Sequence, residues 1–216
     1  MKNDQKKTRN ADHSRIALMQ AGARLFAERG FAATSLDMIA AEASLNKAMV
    51  AYYFGSKTGL YQSILDEGVS RLLERVDVKA LEARPPERRL PAFARSLAQG
   101  FEAAPYLPGM LVQDYLSGNQ QMRPEAAASL SRAFQTTRQI VERGMLAGVF
   151  RNADPHQIHL ALIGSIIFFR ITKPFRDGMQ AEGRWPLSNP DPEEFAEFVG
   201  QMLARGLGPE SQDEEP

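Results

Sequence analysis

Apolar residues recur at helical spacing along almost the whole chain, and no stretch keeps the two-residue alternation of a strand. The pattern is densest in information between Phe31 and Leu60. There Leu36, Ile39, Ala40 and Ala43 fall on one face of a short helix, behind Thr34 and Ser35, whose hydroxyls can cap it. Ala40 is small enough for a second helix to cross close above it. The chain turns at Ser44, Leu45 plugs the gap, and Asn46 is placed to cap a second short helix whose Val50 and Tyr53 return to the same core. Asn46, Lys47, Ala48, Met49, Ala51 and Tyr52 remain on or near the outer face. This is the layout of a helix-turn-helix, whose second helix enters the major groove through its N-terminal residues. Apolar spacing alone fits equally well two ordinary amphipathic helices of an all-helical core.

Beyond Leu60 the reading stays helical. One helix runs from about Lys57 toward Leu81 and is broken at Arg84-Pro85-Pro86. Others follow from Glu87 to about Ala103, around Met110 to Leu116, and from Pro124 to about Ala147. Pro155 opens a further helix, a polar loop containing Trp185 follows, and Pro192 opens the last. The predicted fold is all-α, with an N-terminal three-helix helix-turn-helix domain and a C-terminal helical domain. The expected divisions are a basic flexible arm over 1–13, the helix-turn-helix domain over 14–60, a helical body over 61–208 and an acidic tail over 209–216.

Two features of the body bear on function. The helix after Pro155 is apolar nearly all round, and the last helix carries an apolar stripe close to the C-terminus. A four-helix interface between two copies accounts for both, through Ile158, Leu162, Ser165, Ile166, Phe169, Phe195, Phe198, Val199 and Met202, with Gly164 and Ser165 permitting close approach. A deep monomeric core is the other reading. The middle helices carry Phe93, Leu97, Phe101, Tyr106, Met110, Tyr115, Phe134 and Met145. These can line a pocket for a hydrophobic or aromatic small molecule, or be plain core. Arg170 either meets an acidic ligand or simply suits a helix C-terminus.

Composition and charge narrow the classes. Hydrophobic content of 44% in 216 residues indicates a globular chain. The absence of cysteine excludes disulfides and thiolate zinc sites, and fits the cytoplasm. No secretory signal or membrane span is visible; the longest apolar run, Leu160 to Phe169, is too short. The net charge is zero, yet residues 1–60 hold nine Lys and Arg against five Asp and Glu, a net of +4, and the remainder carries −4. Phosphate attraction therefore belongs to the N-terminal part. Lys2, Lys6, Lys7 and Arg9 form an arm that either follows a DNA backbone or is a solvated tail. An enzyme lacks anchors: His156 and His159 have no partner motif for a metal, and no G-x-S-x-G, P-loop or G-x-G-x-x-G occurs. No cofactor is expected.

From about Arg15 to Leu65 the chain resembles the DNA-binding domain of the TetR family of bacterial transcriptional regulators. The matching segments are LFAERGFAATS, IAAEASLNKAMV and YYFGSKTGLY, each at the family's distance from the next. Ser44 stands where the family usually has the turn glycine, and Ala51 where a tyrosine is common. The resemblance implies double-stranded operator DNA as partner, with Thr34, Ser35, Tyr52, Tyr53 and Lys57 on the backbone and Asn46, Lys47, Ala48 and Met49 as candidates for base readout. It further implies a homodimer on a palindromic operator, released by a small-molecule effector. The competing class is a helical ligand-binding protein without specific DNA binding.

Overall fold

The described residues of the computed structural model are 2–118, 121–184 and 189–209, and among them every regular element is an α-helix. They are α1 (Lys2–Ala33), α2 (Leu36–Glu42), α3 (Ala48–Phe54), α4 (Lys57–Glu74), α5 (Val78–Glu82), α6 (Pro86–Ala103), α7 (Leu107–Leu116), α8 (Pro124–Leu146), α9 (Pro155–Ile171), α10 (Lys173–Ala181) and α11 (Pro192–Gly206). The chain divides into two compact units, one of residues 1–70 and 104–127, the other of 71–103 and 128–216. The body expected over 61–208 is thus divided, since α7 belongs with the N-terminal helices.

In the N-terminal unit, α1 begins at Lys2 rather than after a flexible arm. Lys, Gln and Arg are good helix formers, and no glycine or proline interrupts the chain before Gly22. Phe26, Phe31 and Tyr61 form an aromatic cluster, with Tyr61 edge-on to both phenylalanines at 4.9 and 5.3 Å. Leu18, Ile39, Val50, Leu60 and Ile64 complete this core, and each such side chain contributes ~1.5–3 kcal/mol by its burial. α7 lies on α1 with Gly109 at Ala27 and Gln113 at Gly30.

Asp114, on α7, is 1% exposed, and neither carboxylate oxygen has a hydrogen bond of normal geometry. Burial pushes it above the usual carboxylate range, opposed by the nearby amides of Gln121 and Met122 and the Tyr61 hydroxyl. Burial, together with Asp114, raises Tyr61 in turn.

In the second unit α4 stops at Glu74, short of the expected Leu81, because Asp77 starts a new helix by accepting the Ala80 amide at 3.0 Å. α6 buries Leu90, Phe93, Ala94, Leu97, Ala98 and Phe101. α11 crosses it closely at Gly200, where a Cβ would lie 2.6 Å from the Pro91 Cα. The region after Thr172, expected as loop, contains α10, which opens with Pro174 in its first turn. Trp185 and residues 210–216 of the expected acidic tail lie outside the described residues.

Candidate nucleic-acid interface

α1 ends in a bend at Gly30, whose φ of 75° only glycine adopts freely, and the bend frees backbone carbonyls. The single Thr34 hydroxyl proton is shared between the Gly30 carbonyl, 2.8 Å from Oγ1, and the Leu25 carbonyl, 3.2 Å away. Lys57 Nζ donates to the Phe31 and Thr34 carbonyls, both at 2.9 Å, and sits 4.2 Å from the centre of the Phe31 ring. The expected phosphate contact of Thr34 is therefore corrected: its side chain is 1% exposed and its hydroxyl is committed inside the protein. Lys57 likewise commits two of its three N–H groups to the α1–α2 corner rather than standing free at the surface.

Ser35 is the residue that caps α2, accepting the Met38 amide at 3.1 Å. After Ala43 the chain closes in a Schellman turn, with Ser44 donating to the Ala41 carbonyl and Leu45 to the Ala40 carbonyl. Ser44 occupies the left-handed position of that turn at φ 54°. It accepts the strain that a glycine would have avoided.

Asn46 Oδ1 accepts the Ala48 amide at 2.9 Å, which starts α3 and leaves the Asn46 Nδ2 group for an outside acceptor. Lys47 Nζ pairs with Asp37 at 3.0 Å, so its charge is shared with α2. Ala48 and Ala51 are exposed, Met49 is half-buried, and Val50 anchors the helix inward. Tyr52 is 78% exposed, while Tyr53 is half-buried and packs edge-on against Tyr52 at 4.9 Å. The helix thus presents Asn46, Lys47, Ala48, Ala51 and Tyr52 on one open surface.

One group escaped sequence reasoning. Ser56 Oγ caps α4 by accepting the Gly59 amide at 3.0 Å, and Gly55 precedes it at φ 74°. An exposed capped helix start suits a phosphate oxygen. The run Gly-Ser-Lys was the signal, and Lys57 drew the attention that Ser56 warranted. Arg15, with its guanidinium 5.5 Å from the Phe54 ring, adds positive charge beside the end of α3.

Comparison with known proteins decides the family. The description "Bacterial regulatory proteins, tetR family" matches residues 18–64, and "Tetracyclin repressor-like, C-terminal domain" matches residues 86–178. The chain belongs to the TetR family. It is 25% identical over 165 residues to the HTH-type transcriptional repressor NicS of Pseudomonas putida, covering 76% of this chain and 78% of that protein. It is 38% identical over 88 residues to an HTH-type transcriptional repressor of Mycobacterium tuberculosis, covering 39% of this chain and 47% of the relative. The crystal structure of the TetR family regulator PfmR from Thermus thermophilus aligns with a TM-score of 0.65 at 29% identity, over 89% of this chain and 99% of that one. A TetR-like regulator from a Rhodococcus species, at 20% identity and a TM-score of 0.65 over 90% and 95% of the two chains, shares the fold. This TetR-family chain is a DNA-binding transcriptional regulator.

The body of this TetR-family protein treats the remaining expected sites differently. Phe93, Leu97 and Phe101 are fully buried core of the second unit, while Tyr106, Met110 and Tyr115 belong to the first. Half-buried Phe134 is flanked by the rings of His156 and His159 at 5.6 and 5.4 Å, and Met145 Sδ accepts the Ala153 amide at 3.4 Å. Of the eight residues expected to line one pocket, Phe93, Leu97, Phe101 and Met110 are packed core, Tyr106, Phe134 and Met145 are half-buried, and Tyr115 is exposed. Thr137 Oγ1 lies 2.9 Å from His159 Nδ1, and burial followed by the neighbouring His156 lowers the His159 pKa. Arg170 takes neither of its expected roles alone: it pairs with Glu102 at 2.6 Å and donates to the Ala98 carbonyl at 3.1 Å.

The expected dimer face of the TetR-family chain is also re-phased. Leu162, Ile166 and Val199 are buried within their own unit, so they are not available to a second copy. Phe169 stacks on Phe195 at 4.2 Å with the Arg176 guanidinium on its face, and Ile158 and Ser165 are half-buried. On α9 the open apolar surface instead runs through Leu160 and Phe168, while on α11 the expected Phe198 and Met202 are exposed, with Phe168 66% and Phe198 59% exposed. Among the described residues no single helix is long and apolar enough to cross a membrane, and no His, Cys, Asp and Glu cluster could hold a metal ion.

Proposed function

We propose that the protein is a cytoplasmic repressor that binds a palindromic operator as a homodimer and leaves it when a small apolar effector binds the body. The observation that carries this reading is the open surface of α3, where the Asn46 amide, Lys47 and Tyr52 stand around two exposed alanines that let the backbone approach bases. Base readout belongs to Asn46, Lys47, Ala48 and Met49. Phosphate contacts belong to Tyr52, the capped starts of α2 and α4, and the rim of Tyr53.

Dimerisation supplies the second recognition helix that a palindrome requires, and the exposed Leu160, Phe168, Phe198 and Met202 give it an apolar face. Two heads then read half-sites about 34–36 Å apart. Effector and operator oppose each other by linkage: whatever factor the effector takes from operator affinity, the operator takes from effector affinity.

A salt titration of operator binding tests the reading. Log affinity should fall linearly with log salt, Tyr52→Phe should lower affinity for operator and random duplex alike, and Lys47→Ala should change the preferred sequence. A helical ligand carrier would show no specific shift at any salt concentration, and that result would end the proposal.

A further inference from the structure

Two neighbouring grooves of the second unit, of about 410 and 430 Å³, share Arg88 and Pro91 as lining residues. The first is polar, with Asp77, Arg84, Arg95 and Glu197 among its walls. The second is largely apolar, walled by Val149, Phe150 and Ala204, with Glu87 and Arg205 at its polar positions. Each volume falls in the range of small-molecule sites.

The arginines around this trough are unequally committed to partners. Arg95 is held by Glu193 at 3.0 Å and Glu197 at 2.8 Å. The Asp77 carboxylate is occupied in capping α5. Arg89, next to Arg88, commits its guanidinium to the Arg84 and Glu82 carbonyls. Arg151 likewise donates to the Gly206 carbonyl. Arg84, Arg88 and Arg205 are left without a side-chain hydrogen bond or ion pair among the described residues. Arginine presents planar paired donors matched to carboxylate and phosphate, and a site that keeps it uncommitted favours an anion. The apolar wall beside it favours a hydrocarbon tail.

We propose that the trough binds an amphiphilic anion, a carboxylate or phosphate monoester head at Arg84 and Arg88 with a short apolar tail along Pro91, Val149 and Phe150. The site shares no residue with the expected aromatic pocket, and it does not depend on the operator reading. It takes ligands in which charge and tail are both present, and either alone binds weakly.

Calorimetric titration of the full-length protein with octanoate, octyl phosphate and octan-1-ol tests this. Octanoate or octyl phosphate should bind at least about 10-fold more tightly than octan-1-ol, as the loss of a charge-assisted hydrogen bond implies. The tighter of the two heads identifies the source of the anion. Arg88→Gln and Arg84→Gln should each reduce anion affinity by about 10-fold and leave octan-1-ol unchanged. Val149→Ser should weaken all three ligands, because it touches only the tail. Both arginines are exposed, so circular dichroism of the variants should match the parent protein. Equal binding of octan-1-ol and octanoate, or an Arg84→Gln, Arg88→Gln double variant with unchanged anion affinity, would overturn the proposal. An operator gel shift of the same protein is unaffected by either outcome.

Discussion

Replacing Ser44 by glycine should stabilise the protein. Ser44 holds φ 54° at the left-handed position of the Schellman turn between α2 and α3, which costs an L-residue roughly 1–2 kcal/mol that glycine escapes. Against this, glycine gains freedom in the unfolded chain, worth roughly 0.5–1 kcal/mol. The side chain is exposed and makes no hydrogen bond among the described residues, so nothing else is lost. The balance is a gain of about 0.5–1 kcal/mol, or a rise in Tm of about 1–4 °C for a chain of this size. Thermal and urea unfolding of Ser44→Gly and Ser44→Ala beside the parent protein measure it. Alanine relieves no strain and should leave Tm unchanged or lower. A glycine variant no more stable than the parent, or an alanine variant that gains equally, would refute the strain argument.

Three further outcomes are expected. Thr34→Val should cost about 1–3 kcal/mol by stranding the Gly30 and Leu25 carbonyls, yet leave the salt dependence of DNA binding unchanged at temperatures where the variant is folded. A reduced salt slope would restore Thr34 as a phosphate contact. Gly200→Ala should cost about 1–3 kcal/mol, because its Cβ meets Pro91 backbone that cannot move aside; chemical unfolding with an unchanged midpoint would contradict this. Asp114 has a raised pKa in the folded protein, so its contribution is fully present below the ordinary carboxylate pKa and is lost as pH rises through the folded value. Asp114→Asn should therefore be more stable than the parent at neutral pH and close to it in acid, and parallel pH–stability curves would show the carboxyl to be satisfied.

Much of the N-terminal unit was legible because its signals are local. Ser35 and the Asn46 oxygen cap helices where polar residues precede apolar spacing, and Ile39, Ala40 and Val50 are buried where that spacing places them. Prolines at 86, 124, 155 and 192 mark helix starts in the body. Adjacent hydroxyls were not separable: Thr34 and Ser35 look alike in sequence, and only the bend at Gly30 turns one inward and leaves the other at the cap. α9 is apolar on every face, so periodicity had no phase to say whether Leu162 or Phe168 points out. The aromatic residues of the middle helices carry no mark that distinguishes a lining from a packed core: Phe93 and Phe101 are fully buried, while Tyr115 is exposed.

If α3 reads sequence from two heads at once, selection of bound duplexes from a random pool by the full-length protein is the most direct test. The expected result is enrichment of a palindrome whose half-sites are centred one helical turn apart, about 10–10.5 base pairs, or a multiple of that. Recovery of no common sequence, or of a single half-site without its mate, would contradict two-headed reading by α3.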